Sequence, residues 1–188
     1  MMRKKENVEK KLIASFKELA KHTPIEKLTI QEIAEDAGVI RSTFYHHFQD
    51  KYQLLEYIFE SEVIDPVKPM MQNDMLDDAV VLIFVQMLKD KEFYGRVYRL
   101  QGQNSFESIV KKSLYGTILE VIEEYSPNKT SKHKLLSHET LASYYSEFLG
   151  FIVIAWIRDG MIVSPQEMRD LFNYIKDHSL YEMIHEME

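Results

Sequence analysis

Arg41, Ser42, Thr43, Tyr45 and His46 set a cation, two hydroxyls, a phenol and an imidazole within six consecutive residues, RSTFYH. Phe44 and Phe48, four apart, share one face of a helix there, which turns the polar set away from them. A guanidinium is a planar fork that fits guanine O6 and N7, which makes Arg41 the candidate for reading a base. Ser42, Thr43 and His46 reach base edges or methyl groups. Catalysis finds little support. The chain has no Gly-rich phosphate loop, no nucleophile elbow and no paired carboxylates on an apolar face, so an enzyme is not expected. A metal is not expected either. Neighbouring His46 and His47 point about 100° apart on a helix and cannot share an ion. His178, Glu182 and His185 are better spaced, at i, i+4 and i+7 of the last helix. With no cysteine and no further carboxylate at ligand spacing, they read as a solvated or dimer-facing stripe.

The elements that must hold the polar set are legible around it. Thr29 and Glu32 have the spacing of a capping box, followed by apolar Ile30, Ile33, Ala34 and Ala37 on one helical face. Gly38 stands where that helix must stop in a left-handed residue, and Val39 plugs the turn. A second helix then carries Phe44 and Phe48 inward. Two short helices across a Gly turn form a helix-turn-helix, whose second helix can enter a major groove. A first helix over Val8–His22 carries Leu12, Ile13, Phe16, Leu19 and Ala20 inward and ends before Pro24. Asp50 caps a fourth helix reaching about Ile64, and Pro66 and Pro69 make 64–71 a boundary between head and body. The expected domains are a helix-turn-helix head over 1–52 and a helical regulatory and dimerisation body over 53–188, joined by the helix at 50–64.

The run AGVIRSTFYHHFQDK, Ala37 to Lys51, resembles the DNA-binding signature of the TetR family of transcriptional regulators. One position departs: Ile40 stands where the family has a small or polar residue able to cap the second helix, and an Ile accepts no backbone N–H. The resemblance implies a homodimer on a palindromic operator, with half-sites about one helical turn apart or somewhat more. It also implies phosphate contacts for Lys51. Thr29 and Tyr45 are placed for phosphates as well, which position a protein without specifying sequence. His47 matches a family His beside the DNA backbone, and serves equally as a buried partner of helix 1.

Beyond residue 71 the pattern stays helical: Met75–Leu88, Phe93–Leu100, Phe106–Tyr125, Glu139–Arg158, and a last helix capped by Ser164 with Pro165 in its first turn. Ser126 to His133 reads as a loop. The fold class is all-α. Phe148, Leu149, Gly150, Trp156, Gly160, Met161, Ser164, Pro165 and Met168 form a spaced pattern similar to the C-terminal region of one TetR subgroup. In the wider family this helix pair forms a four-helix bundle with its copy, which implies a dimer interface of Tyr144, Phe148, Phe151, Ile152, Trp156, Met168 and Phe172. A helix apolar all round needs cover on every side. TetR-type bodies hold a small apolar effector between their helices, and the residues available to line such a pocket are Phe84, Met87, Tyr94, Tyr98, Tyr144 and Tyr145. Arg96 and Arg99 are the polar groups to fix an acidic ligand. Each of these is also explained by core packing or by snorkelling to solvent.

Charge agrees with a two-part chain. Residues 1–52 carry ten Lys/Arg against eight Asp/Glu, and the remainder 13 against 22. The basic side, including Arg3, Lys4, Lys5, Lys10 and Lys11, lies near the helix-turn-helix and permits phosphate contact at one end only. Absence of cysteine fits a reducing interior, and the charged opening MMRKKENVEK is no signal peptide. The most apolar run, 148–157, is half a membrane span. The expectation is a cytoplasmic regulator acting as a repressor, with no cofactor and no membrane. Its expected partners are double-stranded DNA, a second copy, and either a small effector or a protein co-regulator. The rival is an interaction module that keeps the helix-turn-helix shape and acts through a protein partner.

Overall fold

A computed structural model describes residues 2–126, 133 and 135–185, and side chains within that range except those of residues 2–6 and 180. The described residues are all-helical: α1 (Met2–His22), α2 (Ile30–Asp36), α3 (Arg41–His47), α4 (Lys51–Phe59), α5 (Lys68–Met71), α6 (Leu76–Lys89), α7 (Lys91–Val97), α8 (Phe106–Tyr125), α9 (His138–Arg158), α10 (Pro165–Asp177) and α11 (Leu180–His185). An N-terminal helix-turn-helix head precedes a C-terminal helical body. Most of the loop expected at 126–133, and the side chains of Arg3, Lys4 and Lys5, lie outside the described residues.

The head is a three-helix cluster. Leu12 and Phe16 of α1, Ile33 and Ala34 of α2, and Phe44 of α3 are almost wholly buried together. Each large apolar side chain buried there is worth about 1.5–3 kcal/mol. Ser15, buried on α1, donates to the carbonyl of Ile33 at 2.9 Å and so ties α1 to α2. The turn is the one expected. Gly38 sits at φ 67°, the Gly38 N–H bonds Glu35 O at 3.0 Å and the Val39 N–H bonds Ala34 O at 2.9 Å. That pair of bonds is the Schellman closure of a helix end, and it needs the left-handed residue that glycine supplies.

The joint departs from expectation in two places. The helix begun by α4 does reach Ile64, but the turn that follows Phe59, Glu60–Ile64, is π-helical, with the Asp65 N–H reaching back five residues to Glu60 O. The boundary at 64–71 is not irregular throughout, because Lys68–Met71 forms the one-turn α5 with Pro69 in its first turn, where no N–H is missed.

In the body, α8 and α9 pack along each other and α10 lies on α6. Gly150 of α9 makes the first contact close: a Cβ there would lie 2.7 Å from Lys111 Cγ on α8. Phe84 of α6 meets Trp156 of α9 edge to face at 5.0 Å. The stripe of His178, Glu182 and His185 does not exist as a helical face. His178 is extended at the end of α10, and Ser179 starts a new helix by exchanging bonds with Glu182. Serine followed three residues on by glutamate is itself a capping signal. Among the described residues no group of His, Asp or Glu is gathered for a metal ion. α9 is long and apolar enough to cross a membrane by length and composition, yet its Ala142, Ile152, Val153 and Ile157 are buried among the other helices.

Candidate nucleic-acid interface

α3 presents its polar set on the open side of the head. Arg41, Ser42, Tyr45 and His46 are exposed and Thr43 is half-buried, while Phe44 is sealed beneath them. The Arg41 Nη2 donates to Tyr45 Oη at 3.0 Å, with the guanidinium 5.4 Å from the Tyr45 ring centre. Tyr45 in turn packs edge-on to Phe44 at 5.9 Å. The longest side chain on the face is therefore braced by a residue one turn on, which lowers the entropy lost when it engages a partner. α3 starts at Ile40 with no side-chain cap. Ile40 is 71 % exposed, so it leaves apolar surface beside Arg41.

Thr29 caps α2 as expected. Its hydroxyl accepts the Glu32 N–H at 3.2 Å and its own N–H donates to Glu32 Oε2 at 2.8 Å. The Thr29 N–H, and the Thr29 hydroxyl that donates to the same oxygen at 2.7 Å, hold the Glu32 carboxyl below its ordinary pKa. The carboxylate flanking Thr29 is thus committed to the helix end.

Two of the expected contact residues turn inward. His47 has a side chain only 4 % exposed, its Nδ1 lying 3.1 Å from Glu9 Oε1 of α1. Glu9 also accepts from Tyr57 Oη of α4 at 3.4 Å. His47 is the buried partner of helix 1, stitching three helices, and is no part of the exposed face. Lys51 donates from Nζ to Glu26 O at 2.8 Å and Leu28 O at 2.7 Å. Burial holds its ammonium below the usual lysine pKa. It closes the turn at Ile25–Lys27 that leads into the α2 cap, so its first task is structural. Lys51→Met should lower the melting temperature without any DNA present, by about 3–6 °C. An unchanged melting temperature would return Lys51 to a purely phosphate-directed role.

The eight proposed pocket residues do not share one cavity. Phe84, Met87 and Tyr94 are packed in the core, whereas Tyr144 and Tyr145 are exposed on α9. Arg96 and Arg99 line a small cleft of about 100 Å³ between α7 and the α1–α2 connection, against Thr23, Pro24 and Glu26. Tyr98 is half-buried, beneath the Arg99 guanidinium at 5.8 Å. Tyr94 stands out among these. Its hydroxyl is buried with no hydrogen-bond partner, a state that costs about 1–3 kcal/mol. Burial, with Glu62 and Asp90 nearby, pushes the phenol well above its usual pKa.

The proposed dimer face divides as well. Ile152, Trp156, Met168 and Phe172 are covered within the chain, because one side of α9 and α10 is needed against α6 and α8. Tyr144 and Phe151 remain exposed, with Phe148 half-buried. Phe151, Ile162 and Leu171 form the open wall of an apolar cleft of about 270 Å³, floored by Ile152, Trp156 and Met168. Ile162, 84 % exposed, joins that wall from a turn, outside any helical spacing. That turn holds Gly160 at φ 83° and Met161 at φ 51°, and the Trp156 Nε1–H donates to Val163 O at 2.8 Å across it.

Residues 12–58 match the family described as bacterial regulatory proteins, tetR family. Residues 74–178, more than half of the chain, match the transcriptional regulator C-terminal region of the same type. A curated relative, the HTH-type dhaKLM operon transcriptional activator DhaS of Lactococcus lactis subsp. lactis (strain IL1403), is 25% identical over 96 residues. That match takes in 50% of this chain and 51% of the relative, so it spans about half the relative's length. Among solved structures, the dihydroxyacetone kinase operon activator DhaS superposes with a TM-score of 0.60 at 18% identity, over 89% of this chain and 93% of that one. NalD, the secondary repressor of the MexAB-OprM multidrug efflux pump in Pseudomonas aeruginosa, gives 0.59 at 18% identity, over 88% and 92%. Thermus thermophilus FadR, a repressor solved with lauroyl-CoA, gives 0.59 at 14% identity, over 86% and 89%. At these identities the likeness to solved structures is one of fold.

Proposed function

This chain belongs to the TetR family of transcriptional regulators, and from that premise we propose that it binds a palindromic operator as a homodimer through the exposed face of α3. Family membership makes it a DNA-binding regulator and not an enzyme. The observation that carries the finer reading is the exposed set of Arg41, Ser42, Tyr45 and His46 on a rigidly packed helix. Arg41 reads guanine, braced by Tyr45, and Ser42, Thr43 and His46 reach neighbouring bases. The Tyr45 hydroxyl accepts from Arg41 and keeps its own proton for a phosphate. A head over 1–52 does the reading, and a body over 53–188 dimerises and regulates. The second copy lies across the Phe151–Ile162–Leu171 cleft, which sets the spacing of the two heads. The protein acts in the cytoplasm.

Repression by occluding a promoter needs only these parts. The likeness to DhaS, named as an activator, supports a second reading in which the bound dimer works through a protein partner. A small effector would act by favouring a head separation that misfits the operator. That FadR of Thermus thermophilus was solved with lauroyl-CoA supports an apolar effector class.

Selection of random duplexes against the purified protein, with its solution mass measured alongside, tests this reading. A recovered palindrome and a dimeric mass are expected. An unenriched pool from a folded dimer, with and without cell-extract metabolites, would overturn it. Arg41→Ala should then lose preference at one position of each half-site, a discrimination of about 1–3 kcal/mol. Equal weakening on all sequences would show that Arg41 touches phosphate instead. Binding should also fall steeply as salt is raised.

A further inference from the structure

At the start of α3 the residue present is not the one that helix stability asks for. Ile40 is the N-cap residue, extended at φ −84° and ψ 153°, a conformation that suits a β-branched side chain. Its carbonyl accepts the Thr43 N–H at 2.8 Å, so the helix begins in register. Its side chain caps nothing, whereas Thr29, Asp50 and Ser164 accept N–H groups at the starts of α2, α4 and α10. A serine, threonine, aspartate or asparagine here would hold the helix better than an isoleucine does.

Packing does not account for the isoleucine either. Val39 is the residue that plugs the turn, half-buried against the head core. Ile40 stays 71 % exposed. Among the described side chains of the head, Ile40 and Tyr45 are the only large hydrophobic ones left exposed, and they flank Arg41. The Arg41 guanidinium meets Tyr45 one turn on, which leaves the beginning of the helix to Ile40. N-terminal residues of a recognition helix are the ones that reach base edges. An aliphatic side chain there can neither donate nor accept a hydrogen bond. The one major-groove feature it can tell apart is the C5-methyl of thymine, by apolar contact.

We propose that Ile40 is a specificity residue, packing on the C5-methyl of a thymine next to the guanine read by Arg41, and that the missing cap is the cost of this contact. The inference rests on the operator reading above. It extends that reading by one base pair in each half-site. Arg41 discriminates by a planar fork of donors, and Ile40 by shape and by exclusion of water. Cytosine at the same place lacks the methyl and sets its amino group towards the groove, where an isoleucine offers it no acceptor.

The test takes the palindrome recovered by selection and replaces each thymine singly by uracil, which removes the methyl and keeps every hydrogen bond. The full chain should bind about fourfold more weakly per half-site when the change falls beside the guanine that Arg41→Ala releases. Ile40→Ser should bind the thymine and uracil duplexes equally, while melting about 2–4 °C higher because a cap is restored. Ile40→Ala, which restores no cap, should lose the same discrimination. A palindrome without thymine beside that guanine would overturn the inference and leave the operator reading standing. So would variants that keep the natural chain's preference for thymine over uracil, or an Ile40→Ser protein that melts lower. A folded dimer that selects no palindrome is the separate result that sinks the operator reading, and this inference with it.

Discussion

Phe151→Glu should convert the protein from dimer to monomer at micromolar concentration and weaken operator binding by a factor of about 10²–10⁴. Phe151 is 64 % exposed and stands on the wall of the apolar cleft between α9 and α10. A twofold contact there places the residue twice in one interface, so a single substitution introduces two charges. Each must lose water with no cation offered on the cleft walls, whose lining is apolar except for Asp159. Each head alone reads only one half-site, and its loss of the tethered second head is the whole of the expected weakening. The substitution touches nothing buried, so the melting temperature of the monomer should stay close to that of the natural chain at low concentration. Sedimentation and operator titration check both parts. A Phe151→Glu protein that still sediments as a dimer would move the interface off this face.

Trp156→Ala should be the most destabilising single change in the body, costing about 3–5 kcal/mol, or roughly 6–20 °C of melting temperature. The ring is 3 % exposed and fills the space between α6 and α9 against Phe84. Its N–H donates to Val163 O across the turn, so truncation leaves a cavity and also releases the turn. Trp156→Phe helps separate the two contributions, since it keeps an aromatic edge on Phe84 and loses the bond together with only part of the ring volume. Its cost should be about 1–3 kcal/mol, and its effect on dimerisation larger than its effect on stability. That asymmetry follows from Ile162, which the turn holds outward. Thermal melts of the two variants, compared with their dimer dissociation, decide it.

The head was legible because its signals are local. Thr29 with Glu32, Gly38, and the pair Phe44 and Phe48 each act within four residues, and the structure repeats them with the expected bonds. α8 likewise runs from Phe106 to Tyr125 as its spacing predicts. What stayed hidden depends on partners far away in the chain. Lys51 looks like a free surface cation until the carbonyls of Glu26 and Leu28, more than twenty residues earlier, come to meet it. Lys17 finds its acids 45 and 73 residues on, and nothing near it announces that. The proposed dimer face is hard to read for a different reason. α9 is apolar on most sides, so periodicity cannot say which side the chain covers for itself, and Trp156 faces in. The break before α11 is written plainly as Ser179 and Glu182, and the histidine spacing crosses it.

The π-helical turn at Glu60–Ile64 has a consequence for the length of the chain itself. A five-residue turn holds one residue more than the α-helical path it replaces, and one residue is about 100° of rotation about the helix axis. Deleting a single residue there would let α4 run on as a regular helix along the same path, so the head would keep its facing on the body, because the π turn absorbs the extra residue locally. Both halves would still fold, and α3 would still carry the same side chains in the same order. The facing of the head on the body is in this way buffered against the gain or loss of one residue at the joint, independently of any side chain that meets a base.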